Sequence, residues 1–202
     1  MVFAPSPEPR LAAPGAGLPQ PELFIARLIF RLRAWQSSPE AAAATIAREQ
    51  ECIRALVNRH RATGAGQRAL IPRLRGMEDS SRYWSLFMTV AHVAIVNRGI
   101  QATLDELLAG RTPGRVASTA AVKPPAGAGP SSIAELDQSC RDLLGLKKDI
   151  HRTRQRYAHP WFGPLDARDW YFLAGFHMAL HRVQMERIEA GLAAEGTDGV
   201  EG

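Results

Sequence analysis

Apolar residues return every three or four positions through most of the chain, which is the periodicity of helices packed on one face. Phe24, Ile25, Leu28, Ile29, Leu32 and Trp35 outline a first helix from about Glu22 to Gln36. Ser38, Pro39 and Glu40 supply a cap, a proline at the first helical position and an acid in the first turn. They open a helix of about 39–62 with Ile46, Ile53, Leu56, Val57 and His60 on one face. Gly64 and Gly66 stop it, and 69–77 reads as a loop. Asp79, Ser80 and Ser81 offer caps for a long helix of about 80–109, with Trp84, Met88, His92, Ile95, Val96 and Gly99 as its inward stripe. Ser132 and Glu135 stand at capping-box spacing before a helix of about 132–156, marked by Ile133, Leu136, Cys140, Leu143, Leu144, Lys147 and Ile150. Tyr157 to Pro164 is a bulky, proline-bounded turn. Asp166, answered by Asp169, then caps a last helix to about Gly191 whose stripe is Trp170, Ala174, His177, His181, Gln184 and Ile188.

No stretch sustains the period-two alternation of a half-buried strand, so the pattern predicts an all-α fold: a four-helix bundle with an extra N-terminal helix. At 202 residues one domain is expected. Residues 1–20, rich in Pro, Ala and Gly, read as a disordered leader. Residues 21–192 are the bundle domain, with its core at about 40–190, and 193–202 a flexible tail. The Pro/Ala/Gly-rich insertion 111–131 could span a ~30-residue helix at ~3.1 Å per residue and so join two parallel helices; its composition equally fits a mobile loop.

Charge and cysteine usage narrow the class. The net charge is +5 and the pI about 9.8, but Arg and Lys are interspersed with Asp and Glu in no like-charge tract, which argues against a nucleic-acid partner. Lys147, Lys148, Arg152, Arg154 and Arg156 fall in the expected last turns of their helix, where they answer the helix dipole. Cys52 and Cys140 lie 88 positions apart with no redox or metal spacing, as reduced thiols of a cytoplasmic protein. The N-terminus has no basic region followed by an apolar run, and the most apolar stretch, Trp84 to Val96, is 13 residues against the ~20 of a membrane span. No membrane partner is expected.

The candidate chemistry lies in the histidines. His177 and His181 are four residues apart on the apolar stripe of the last helix, so both rings leave the same face. Two adjacent buried imidazoles each need polar partners, and a shared metal ion satisfies both. His92, central to the stripe of another helix, is the third candidate ligand, although a lone histidine on an apolar face is as a rule a satisfied core residue. His60 reads as a charge partner at a helix end, His151 as solvated, and His159 as a packing residue of the aromatic turn that could line a pocket mouth. Tyr83, Trp84, Gln184 and Arg141 are candidate pocket residues.

The His92 helix, the His159-Pro-Trp-Phe-Gly-Pro-Leu turn with Trp170 beyond it, and the His177-x3-His181 helix together resemble the DinB/YfiT-like superfamily of small metal-binding bundles, over roughly 40–190. The name refers to damage-inducible bundle proteins and not to a DNA polymerase. The resemblance implies up-down-down-up connectivity, with His92, His177 and His181 as metal ligands from the second and fourth bundle helices. The extra N-terminal helix and the insertion depart from the pattern.

Three neutral histidines leave coordination positions open, as catalytic zinc sites do, and Zn²⁺, Ni²⁺ and Fe²⁺ all accept imidazole. With the resemblance, whose relatives are similar to thiol-dependent S-transferases, this implies a metal-dependent enzyme as the leading expectation: a thiol-dependent S-transferase or related hydrolase-like activity on a small-molecule substrate, with a low-molecular-weight thiol as co-substrate. The alternative is a non-catalytic metal-binding bundle for stress response or partner binding, because no HxxE-type general base accompanies the histidines. The resemblance also implies a homodimer, for which the amphipathic N-terminal helix offers an interface.

Overall fold

The computed structural model describes residues 8–60 and 64–198. Helices α1 (Gln20–Gln36), α2 (Pro39–His60), α3 (Leu86–Leu108), α4 (Ser131–Gly145) and α5 (Ala167–Asp198) carry the fold. α3 packs against α4 and α5, and α2 against α5 and α4, which closes a four-helix bundle; α1 lies outside it against α5. The contacts fix the direction of each helix. Thr45 meets Gly175, Glu49 pairs with Arg182 and Arg59 with Glu189, so α2 and α5 run parallel. Gln184 bonds the Ser81 carbonyl while Asn97 reaches Met178, so α3 opposes α5. Asp137 meets Arg54, and Lys147 lies near Glu40, so α4 opposes α2. The order is up-down-down-up, and residues 109–130 are the crossover between the parallel α3 and α4.

α3 is the central element. Its first half is buried on all sides, from Leu86 to Ala94, because it is flanked by two helices and covered at its start by the 64–84 segment. Its start differs from the expectation. Asp79–Ser81 forms one 3-10 turn, and Tyr83–Trp84 (β2) pairs antiparallel with Ala69–Leu70 (β1). The true cap is Ser85, whose Oγ accepts from Met88 N at 3.1 Å. Gly99, expected inside, is exposed, while Val93, Asn97, Ile100 and Leu104 carry the buried face.

α4 ends at Gly145 with a 3-10 turn at Leu146–Lys148, well short of 156. Lys147 and Lys148 stay at the helical end, but Arg152, Arg154 and Arg156 lie beyond it, and the dipole explanation falls for Arg152, whose guanidinium pairs with Asp166 at 2.9 Å. The Ser132–Glu135 capping box does not form either: Ser132 Oγ donates to the Gly129 carbonyl and Glu135 pairs with Arg98. The 157–164 turn is a short hairpin of Tyr157–His159 (β3) and Gly163–Leu165 (β4), reversed with Gly163 at φ 74°. Asp166 caps α5 as expected, accepting from Asp169 N at 3.0 Å.

Described residues of both expected end segments take part in the fold. In the leader, Leu18 is buried, Ala12 N donates to Asp79 and Gly15 N to Glu78; residues 1–7 of the expected disordered segment lie outside the described residues. α5 continues to Asp198 through most of the expected tail. No helix among the described residues is long and apolar enough to cross a membrane.

α1 turns its sequence-defined apolar stripe outward. Phe24, Leu28, Leu32 and Trp35 are 54–71% exposed, while Phe30 and Ala34 dock it on the bundle through stacking of Phe30 on Phe162 at 4.2 Å. α5 packs tightly on α2 at Gly175, where an added Cβ would sit 3.0 Å from Thr45 Cγ2. Gly175→Val is expected to lower unfolding stability by about 1–3 kcal/mol in urea titrations, and Thr45→Ala in the same chain to recover part of it.

Candidate metal centre

α3 delivers His92 and α5 delivers His177 and His181 to one point in the bundle. The ligand-capable ring nitrogens of the three all lie within 4.8 Å of one another. His92 and His181 are buried and His177 nearly so. Their rings are held at centroid separations of 4.3–5.0 Å, and Trp84 stacks on His181 at 6.1 Å with the planes 10° apart. The His177–His181 pair on α5 and His92, in the second turn of α3, are thus brought together.

Hydrogen bonding fixes which nitrogen is free in two of the three rings. The Val122 carbonyl can only accept, so His92 donates from Nδ1 at 2.7 Å and its Nε2 keeps a lone pair. Gln184 donates from Nε2 to the Ser81 carbonyl at 2.7 Å, which orients its Oε1 as an acceptor toward His181 Nδ1, also at 2.7 Å. His181 Nε2 is therefore the unprotonated nitrogen. His92 Nε2 and His177 Nε2 stand 3.2 Å apart. Two nitrogens bound at ~2.1 Å to a tetrahedral ion would be separated by ~3.4 Å, so the pair has the span of shared ligands. His177 Nδ1 is buried and has no hydrogen-bond partner among the described residues.

Burial sets the charge of the group. It pushes His92 down to about 4, against a smaller opposing effect of its bond to Val122. Burial, reinforced by the neighbouring imidazoles, holds His177 and His181 well below the ordinary histidine value. All three are neutral near pH 7, the form that ligates a metal. The donor set fits a divalent ion: three unprotonated nitrogens from rigid helices, two of them oriented by partners on their other nitrogen, as the outer partners of metal-bound histidines are.

A cavity of about 860 Å³ opens beside the three histidines, bounded by α1, α3, α5, the β3–β4 turn and part of the crossover. Trp84 lines it, as expected. Gln184 does not; it is fully buried behind His181 as a positioning residue. Tyr83 faces a smaller neighbouring cavity under the Arg68 guanidinium, and Arg141 is exposed on α4 against Gln138. His60 bonds Glu189 at 2.8 Å at the end of α2, and His151 is exposed. His159 accepts from the amides of Trp161 and Phe162 at 3.1 and 3.3 Å, stacks on Phe162 and lines the cavity, and its burial lowers it to about 4. Both cysteines are free thiols; Cys140 is raised to about 12 by burial.

The sequence reading missed the crossover's part in the site. The Val122 carbonyl and the 3-10 turn at Ala120–Val122 belong to a segment whose composition carries no ligand signal, and a backbone acceptor leaves none. Glu78 was also missed: it accepts from Gly15 N at 2.9 Å and from Thr119 Oγ1 at 3.0 Å, joining the leader to the crossover beside the cavity.

No family model and no curated protein matches this chain. Among solved structures it is similar to the crystal structure of TT2238, a four-helix bundle protein, at 21% identity and a TM-score of 0.52, covering 74% of this chain and 98% of that one. That similarity shows the fold, a four-helix bundle.

The depressed histidines make acid stability a readout. An unfolded chain takes up protons below about pH 6.5, whereas folded His92 and His159 resist them to about 4. Their contribution is therefore complete above pH 6.5 and is lost as the pH falls from there toward 4. Denaturant titrations of the metal-free protein should lose about 2 kcal/mol by pH 5 from His92, and less from the half-buried His159; a His92→Asn variant should show a shallower acid limb.

Proposed function

We propose that this chain is a metal-dependent protein of the DinB/YfiT-like kind, binding one divalent ion through His92, His177 and His181. The observation that carries the reading is the convergence of three neutral imidazoles, two of them with the Nδ1 hydrogen committed to a fixed acceptor. Zn²⁺, Ni²⁺ and Fe²⁺ suit this donor set. A divalent ion with open positions lowers the pKa of a bound thiol or water and stabilises the anion.

The activity we assign is transfer of a small thiol's sulfur to an electrophilic carbon, or the corresponding hydrolysis. In the transfer, a bond forms between sulfur and carbon, the bond from carbon to the leaving group breaks with its electron pair, and the thiol proton passes to solvent. Trp84 and the α5 face beside the histidines shape the apolar wall on which the reactants are positioned. A non-catalytic metal-binding bundle is the second reading, favoured by Glu78: this carboxylate by the cavity spends its oxygens on Gly15, Thr119 and Ser80 and is a strut, not a free base. A homodimer through the outward apolar face of α1 accompanies the proposal, supported by the exposure of that face.

Untagged protein is expected to carry about one equivalent of divalent metal by elemental analysis, and His177→Ala to abolish it; absence of metal from well-folded wild type refutes the site. Gln184→Ala is expected to weaken metal affinity about 10–100-fold with the helix content unchanged. Turnover in a screen of thiols and electrophiles by the metal-loaded protein, lost in His177→Ala, supports the enzyme; uniform inactivity favours the binding module. Light scattering is expected to give twice the chain mass for wild type and a monomer for Leu28→Glu.

A further inference from the structure

The walls of the cavity say what kind of molecule meets the histidines. At about 860 Å³ it lies in the range that holds small organic ligands. Away from the histidines its lining is built from Ile25 and Ile29 of α1, Val96 and Ile100 of α3, Trp161 of the β3–β4 turn and Phe176 of α5. The charged groups along it are largely engaged by the protein itself. Glu22 holds Arg73 and Gly76 N, Glu78 holds Gly15 N and Thr119, and Arg115 donates to the Gly99 carbonyl and Thr103 and lies over the Tyr157 ring. Arg75 and Lys123, which also border it, are exposed to solvent. A hydrophilic ligand body would lose water against the apolar walls and gain few partners in return.

The apolar surface does not stop at the opening. Ile25 and Ile29 are 55% and 41% exposed while they line the cavity, so the wall continues to the rim along the flank of α1, beside the Phe24, Leu28, Leu32 and Trp35 stripe and not on it. A ligand body can therefore extend along this surface without complete enclosure. The three imidazoles are the metal-ligating groups of the lining, with Trp84 stacked on His181.

We propose that the cavity takes an amphiphile: an apolar chain or ring body along α1, α3 and Phe176, with a small metal-binding head group at His92, His177 and His181. The head-group part rests on the metal reading above; the apolar part rests on the cavity alone. Straight-chain alkyl hydroxamic acids, from acetyl to decanoyl and below their micelle concentrations, separate the two when titrated calorimetrically into zinc-loaded and metal-free protein. For the zinc-loaded protein the affinity should rise roughly three- to fourfold per added methylene over the middle of the series. Removing zinc should weaken the decanoyl compound at least ~10-fold while keeping the chain-length trend. Val96→Arg should flatten that trend, and Ile29→Arg, on the exposed side of the wall where folding is not at risk, should reduce it with zinc content unchanged. A flat chain-length series on zinc-loaded protein overturns the proposal and leaves the metal site standing. A steep series that is the same with and without zinc overturns the head-group assignment and leaves the apolar subsite standing, while the metal reading falls only if the protein takes up no zinc.

Discussion

Everything at the centre of this bundle depends on keeping three imidazoles uncharged and differently protonated on their two nitrogens. Water removal makes the charged ring costly, and nearby imidazoles make a second charge costlier still. Neutrality alone would leave the tautomers free. The Val122 carbonyl and the Gln184 amide remove that freedom for His92 and His181 by accepting the Nδ1 hydrogen. The Nε2 lone pairs of those two rings are thereby aimed at one another's neighbourhood, an arrangement unfavourable for an empty apolar core and favourable for a cation.

The bundle's connectivity serves that requirement. α3 and α5 run in opposite directions, so a histidine in the second turn of one faces a pair one turn apart on the other. Because α3 and α4 run the same way, the chain must cross the length of the molecule between them, and the crossover passes over the cavity. The need for a long link thus places backbone carbonyls beside the site. The Ser81 carbonyl, just before β2, orients Gln184, so the segment that precedes α3 also takes part.

Much of this was legible in the sequence. The fold class, the four bundle helices and the grouping of His92 with His177 and His181 follow from apolar periodicity and spacing, because burial is repeated along every turn and leaves a redundant signal. Single-residue choices are less redundant. Asp79, Ser80 and Ser81 have the chemistry of caps, but Ser85 caps α3 because pairing with Ala69–Leu70 holds Tyr83–Trp84 extended. The cations after Gly145 look like a helix end, but Arg152 is bound by Asp166 in a non-helical segment. Glu49, buried at 2% exposure on α2, reads as a surface residue until Arg182, 133 positions away, is seen against it at 2.6 Å. Long-range polar pairing and backbone acceptors leave no local trace.

The bond from His92 to the Val122 carbonyl has a bearing on how this protein tolerates genetic change. A main-chain oxygen is supplied by whatever amino acid occupies the position, so the codons of 111–131 can drift in side-chain identity without removing the acceptor. Their number is less free. Adding or deleting residues between α3 and Val122 changes which carbonyl arrives above His92, or whether one arrives at all. The segment with the least informative composition in the chain is thus open to substitution at the residue that bonds His92 but constrained in length.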